Sequence, residues 1–237
     1  MKPTLILSCE HAVNLVPATY KDYFQHYKQL LDTHYALDLG SLTVACHLSK
    51  YFVCTLVQAQ ATRLLIDCNR TLTHRSCFSQ ITKNLPKTIK QQIIADYYLP
   101  FRCQVEDEIC KAIDLRRQVW HLSIHSFTQV MNNLTRNADI GLLYDPQREN
   151  EQILAKNWER QLKLNYKNLR VRRNYPYRGI ADGFTTALRK IFAPNNYLGI
   201  EVEINQGLVQ TPQSALAVAT KVADTLFVCL QLGTDIP

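Results

Sequence analysis

Two histidines are set into an apolar run near the middle of the chain, Trp120-His121-Leu122-Ser123-Ile124-His125-Ser126-Phe127. Extended backbone alternates its side chains, so a strand here puts His121, Ser123 and His125 on one face and Leu122, Ile124 and Ser126 on the other. Burying a polar group without a partner costs about 2 to 7 kcal/mol, so each ring needs a hydrogen bond or a metal. A second site of similar character closes another apolar run, Leu5-Ile6-Leu7-Ser8-Cys9-Glu10-His11. A catalytic zinc takes three protein ligands from His, Asp, Glu or Cys and keeps a fourth position for water. His11 and His125 both fall at strand ends, so far apart in sequence that only the fold can bring them together. Taken singly, either one reads as a hydrogen-bonded core histidine. Taken with Glu10, Ser123 and the later same-face pair Glu201 and Glu203, they point to a metal-dependent hydrolase. His121 reads as support for His125 or as a satisfied core group, not as a ligand.

The elements that must position these groups alternate along the chain, which predicts a single α/β domain. Its central sheet should be mostly parallel or mixed, with helices on both faces. Strands are expected at 4–9, 52–57, 63–67, 120–127, 139–144, 169–171 and 197–204, and helices at 19–31, 37–50, 148–164 and 185–192. Pro86 can open a long helix that Pro100 kinks or splits, with Ile89, Ile93, Ile94, Tyr97, Phe101, Val105, Ile109 and Ile113 along one stripe. Thr211-Pro212 starts a last helix that turns Leu216, Ala219, Ala223, Leu226 and Leu230 to the core. Ligands of open α/β sheets bind at the carboxyl ends of strands, which draws attention to Asp67, Asn69 and Arg70 at the end of the 63–67 run.

Composition bounds the functional class. With 237 residues, 46% hydrophobic and 20% charged, and only 7 Gly and 9 Pro, the chain has the make-up of a folded globular protein with one sizeable core. The net charge of +7 is spread thinly. Its tightest cluster, Arg170, Arg172 and Arg173 with Arg178 close behind, is too small for a nucleic-acid stripe and better suited to a carboxylate-bearing ligand. The eight cysteines include no C-x-x-C pair, so they read as reduced core residues. The apolar stretch Leu5 to Leu7 is too short for a secretory leader, and no run approaches the roughly 20 apolar residues of a membrane span. The expectation is a cytoplasmic protein with no nucleic-acid or membrane partner.

Five segments in order, Ser8-Cys9-Glu10-His11, Arg63 to Arg70, Ser123-Ile124-His125-Ser126-Phe127, Asn174-Tyr175-Pro176-Tyr177-Arg178-Gly179 and Glu201-Val202-Glu203-Ile204-Asn205, resemble the N-formylglutamate amidohydrolase family from residue 4 to about 207. The resemblance implies a zinc-carboxypeptidase-like (phosphorylase/hydrolase-like) fold, hydrolysis of an N-acyl amino acid, and His11 and His125 as ligands of zinc or another divalent metal. Asn14 stands three residues after His11, so the H-x-x-E ligand pair of zinc carboxypeptidases is missing and a third ligand must come from elsewhere. The order of histidine, acid and Ser-Ile-His also looks like N-acetylmuramoyl-alanine amidases, whose acidic ligand opens the first long helix. Asp38 best matches that position, with Glu10 as the alternative. The resemblance further implies Glu203 as general base, with Glu201 as the same-face alternative. It places Arg63, Asn69, Arg70 and Arg178 against a substrate bearing one or more carboxylates. Glu10 stands where related sequences often have proline, which together with Asp139-Ile140-Gly141-Leu142-Leu143-Tyr144 suggests a divergent branch whose substrate need not be the eponymous one. Two other classes compete: a binding protein on the same fold that has lost its metal, and a nucleic-acid-associated protein whose affinity falls steeply with salt.

Overall fold

The computed structural model describes residues 2–232. Eight strands form in order: β1 (Thr4–Cys9), β2 (Thr55–Gln58), β3 (Val119–Phe127), β4 (Val130–Met131), β5 (Leu134–Thr135), β6 (Ile140–Leu143), β7 (Val171–Arg173) and β8 (Tyr197–Asn205). The helices are α1 (Ser41–Phe52), α2 (Lys87–Ile93), α3 (Leu99–Asp114), α4 (Glu149–Asn165), α5 (Phe184–Ile191) and α6 (Pro212–Leu232), with a 3-10 segment at Ala18–Leu30. Six strands make one mixed sheet in the order β2-β1-β3-β8-β6-β7, and β4 and β5 form a small separate hairpin. Strands β2, β1, β3 and β8 run parallel, whereas β6 is antiparallel to β8.

Each face of the sheet is buried under its own layer, as a mostly parallel sheet requires. One face carries Leu5, Leu7, Trp120, Leu122, Ile124, Leu198 and Ile200 against α1, α4 and α6. The other carries Ile6, Val119 and Tyr197 against α3, α5 and the 3-10 segment. All nine residues of β3 and of β8 are buried, including His121, Ser123 and His125 on the first and Glu201 and Glu203 on the second. Each large apolar side chain so buried contributes about 1.5 to 3 kcal/mol.

Several sequence expectations shift. Residues 63–67 are not a strand; they turn back on themselves, with Leu65 N–H bonded to the Thr62 carbonyl. Leu64, Leu65 and Ile66 bury themselves in the second core without joining the sheet, a burial that periodicity cannot tell from a strand. Phe52 ends α1 instead of starting β2, and the chain reverses at Val53, which has φ 49°. The helix expected at 37–50 begins at Ser41, leaving Asp38 ahead of it in the loop. A π-turn at Ile94–Tyr98 precedes Pro100, where the long helix breaks register. On α6 the core stripe is Ala215, Val218, Ala219, Val222, Ala223, Leu226 and Cys229, while Leu216 is exposed. That helix has 21 residues, and an 18-residue window of it has a mean hydropathy of 1.6, enough by length and composition to cross a membrane, although Lys221 and Asp224 interrupt its apolar residues. Its apolar side instead packs on α1 and α4.

Candidate metal centre

Strands β1, β3 and β8 are adjacent and parallel, so their carboxyl ends lie at one edge of the sheet. Register sets Ser8 beside Ser123, Ser123 beside Glu201, and His125 beside Glu203. The period of two then puts Ser8, Glu10, His121, Ser123, His125, Glu201 and Glu203 on the face that carries Ile6, Val119 and Tyr197. His11 follows just beyond β1, and its carbonyl accepts the backbone N–H of Asp38 (3.0 Å). The carbonyl of Asp38 in turn accepts the Ser41 hydroxyl (2.7 Å). Gly40, at φ 76°, supplies the left-handed turn between them, with Val209 packed where a side chain would project.

This loop delivers one carboxylate oxygen to two imidazoles. Asp38 Oδ2 lies 3.2 Å from His11 Nδ1 and 2.9 Å from His125 Nδ1. Donor atoms of His11, Asp38 and His125 all fall within 4.8 Å of one another, and all three residues are buried. The far ring nitrogens are engaged from behind. His11 Nε2 is 2.7 Å from Asp67 Oδ1, and His125 Nε2 is 2.8 Å from Ser123 Oγ and 3.3 Å from Glu10 Oε2. Asp67 and Asp38 are both carboxylates and can only accept, so without a metal His11 donates from both ring nitrogens, and a metal bound at Nδ1 would take the place of the hydrogen that faces Asp38. Two imidazole nitrogens and a carboxylate oxygen beside an open cleft form a donor set that fits a catalytic zinc, with the histidines oriented from outside the ligand set as metal-bound histidines are.

The electrostatics agree with a place for a cation. Burial raises the Asp38 carboxyl, but His11 and His125 outweigh it and hold the group well below the usual carboxylate range. Burial lowers the His125 ring and is outweighed by its bonds to Asp38 and Glu10, so the ring is held well above its ordinary value. His11 is raised as well, burial and the Arg63 charge being overcome by Asp67 and Asp38. Arg63 spans the two aspartates, donating to Asp38 Oδ1 (3.3 Å) and Asp67 Oδ2 (3.0 Å).

The cleft has a volume of about 850 Å³ and contains His11, Asp38, His125, Glu201 and Glu203 in its lining. Glu203 is buried, its Oε2 has no hydrogen-bond partner, and burial pushes its carboxyl up to about 7. Glu201 is tied by the Thr185 hydroxyl at 2.5 Å. Asn69 Oδ1 is committed to the N-terminus of α5, accepting the Phe184 N–H (2.7 Å), so its carboxamide N–H groups remain for other partners. Arg70 lines the cleft and donates to the Asp182 carbonyl, while Arg178 is exposed at the cleft and makes no side-chain bond to another described residue. The rest of the basic cluster lies elsewhere: Arg170 pairs with Asp139, Arg173 with Glu159, and Arg172 stacks on Tyr175. Glu10 sits behind His125, outside the trio that converges. The sequence marked Asp67 as a strand end, yet a turn brings it to His11. Ser8 and Thr185, which hold Glu10 and Glu201, carry no local signal beyond their place in a strand or a helix's first turn.

Comparison with known proteins agrees with this geometry. Residues 4–210 match the family model of N-formylglutamate amidohydrolase. The gene product Atu2144 of Agrobacterium tumefaciens superposes with a TM-score of 0.85 at 30% identity, over 99% of this chain and 93% of that one. An N-formylglutamate amidohydrolase from Ralstonia eutropha JMP134 shares the fold, with a TM-score of 0.73 at 18% identity over 99% of this chain and 95% of that chain. No curated protein matches in sequence. With five motifs in order, a family match over most of the chain and a relative aligned nearly end to end, the chain belongs to the N-formylglutamate amidohydrolase family, a family of amidohydrolases.

Proposed function

We propose that this chain hydrolyses the amide of an N-acyl amino acid, using zinc or a similar divalent ion held by His11 Nδ1, Asp38 Oδ2 and His125 Nδ1. The observation that carries this reading is the approach of both Nδ1 atoms to one Asp38 oxygen, at 3.2 and 2.9 Å, while their Nε2 atoms are held by other groups. When bound, such an ion polarises the acyl carbonyl and lowers the pKa of a water towards about 7.

The chain's own residues do the rest. Glu203 takes a proton from the attacking water and returns one to the departing amine nitrogen. Its carboxyl at about 7 is poised to do both near neutral pH, and its unpartnered Oε2 is free to accept. Glu201, already accepting from Thr185, is the weaker candidate for this task. Asp67 holds the His11 ring, and Arg63 ties Asp67 to Asp38, so Arg63 braces the site as well as lining the cleft. Arg178, with no partner of its own among the described residues, is best suited to grip the substrate's carboxylate, with Arg70 beside it on the same cleft.

The test is metal analysis of protein purified without chelators, followed by a screen of the loaded enzyme against N-formyl, N-acetyl and N-succinyl amino acids, with His125→Ala as control. Bound divalent metal and release of free amine by the wild type, both lost in the variant, are expected. A protein that holds no divalent ion, or a His125→Ala variant with wild-type activity, overturns the reading.

A further inference from the structure

Behind the three converging donors runs a continuous line of buried hydrogen bonds. Tyr197 Oη lies 2.8 Å from His121 Nδ1, and His121 Nε2 lies 2.8 Å from Ser8 Oγ. Ser8 Oγ is 2.6 Å from Glu10 Oε1, Ser123 Oγ is 2.7 Å from Glu10 Oε2, and His125 Nε2 is 2.8 Å from Ser123 Oγ. Glu10, His121, Ser8 and Ser123 are each no more than 1% exposed. No solvent reaches this line to set the direction of its bonds, so the groups themselves must set it.

Within the line from Tyr197 to Ser123, Glu10 is the member confined to one role, as Asp38 is on the far side of His125. A serine hydroxyl has one hydrogen, an imidazole can be protonated on either nitrogen, and a tyrosine hydroxyl can donate or accept, so every other member is reversible. Glu10 as a carboxylate accepts at both oxygens, which commits the hydrogens of Ser8 and Ser123 to it. Ser123 Oγ then has only lone pairs left for His125, so the imidazole must carry its proton on Nε2. Nδ1, which donates to Asp38 when no metal is bound, is thereby the nitrogen left to exchange its hydrogen for a metal. On the other arm, His121 donates its Nε2–H to Ser8 and accepts the Tyr197 hydroxyl at Nδ1.

We infer that Glu10 is a positioning residue: through Ser123 it fixes the His125 tautomer that presents Nδ1 as a metal donor, and it does not ligate the metal itself. The inference rests on the proposed metal site. It also gives His121 a task, because Ser8, His121 and Tyr197 complete the hydrogen bonding that holds the Glu10 carboxylate in place.

The substitution Glu10→Met keeps the volume and removes both acceptors. Ser123 is then free to turn its hydrogen toward His125 Nε2, an arrangement that keeps the ring proton on Nδ1, where the metal should sit. Glu10→Gln keeps one carbonyl oxygen able to accept from Ser123. Zinc affinity measured by chelator competition on metal-free protein should fall about 10- to 100-fold in Glu10→Met, the range found when partners behind metal-bound histidines are lost, and less in Glu10→Gln. Ser8→Ala leaves the Glu10–Ser123–His125 arm intact and should keep affinity close to wild type even if it lowers thermal stability. In the zinc-loaded wild type, a long-range proton–nitrogen NMR spectrum should show a His125 Nε2–H signal protected from exchange, and in Glu10→Met that protection should be lost. Should Glu10→Met fail to fold, Ser123→Ala carries the test, with a smaller loss of affinity expected because Glu10 stays 3.3 Å from the ring. Wild-type zinc affinity in the variant that folds overturns the inference and leaves the metal site standing. A wild type that takes up no zinc overturns the metal site and the inference together.

Discussion

Glu203 carries a carboxyl that is 5% exposed, lacks a partner at Oε2 and is pushed by burial to about 7, against an ordinary value near 4.5. In the unfolded chain this group ionises above about 4.5, whereas in the metal-free fold it keeps its proton until about 7. Between those limits the folded state binds more protons, so stability falls as pH rises, and the full cost is present above pH 7. At about 1.4 kcal/mol per pKa unit, the difference is worth about 3 kcal/mol. Glu203→Gln has no charge to bury. Relative to wild type, the metal-free variant is therefore expected to gain nothing near pH 4.5 and about 3 kcal/mol at pH 8, or about 6 to 12 °C in Tm for a chain of this size. Denaturant unfolding of both proteins at pH 5, 6, 7 and 8 measures this directly. A difference that stays constant across that range would refute the claim that burial holds the carboxyl neutral. The same variant is expected to lose 10²- to 10⁴-fold in kcat with its metal still bound, the usual worth of a positioned proton-transfer group. Full activity in the metal-loaded variant would remove Glu203 from the reaction.

Three further outcomes test the surroundings of the site. Asp67→Asn removes a carboxylate from behind His11 and a partner from Arg63, so zinc affinity should fall about 10- to 100-fold; an unchanged chelator-competition curve counts against the orienting role. Arg178→Ala should raise KM for carboxylate-bearing substrates with kcat nearly unchanged, as the loss of uniform binding does, whereas a fall in kcat alone would point to another role. Gly141 pairs with Glu203 across β6 and β8, and a side chain there would collide with the backbone carbonyl of Tyr175, so Gly141→Ala should displace the 174–179 loop. A stability loss of about 1 to 3 kcal/mol is expected, with a raised KM because Arg178 rides on that loop; a variant with wild-type Tm and KM would show that the loop position does not matter.

What the sequence reveals about this site follows from how far apart the cooperating groups lie along the chain. His125 and Glu203 are legible because a period of two within one strand places them beside Ser123 and Glu201, and strands of this kind pair with little freedom of register. The architecture is legible for the same reason, since fully buried strands alternate with amphipathic helices. Asp38 is harder to place: it precedes α1 and reaches both imidazoles through a turn that depends on Gly40 and on the His11 carbonyl. Asp67 shows the limit. Its run Leu64-Leu65-Ile66 is as apolar as a strand and puts Asp67 at that strand's end, yet the segment folds as a turn into the second core and meets His11 from the side. The arginines reverse the lesson. Arg170, Arg172 and Arg173 look like a ligand site because they are close in sequence, but Asp139, Tyr175 and Glu159 each claim one of them. Arg178, a few residues on, is left at the cleft with no carboxylate paired to it among the described residues. Whether a charge is spent on structure or kept for a ligand is decided by partners from distant segments, and local sequence holds no record of them.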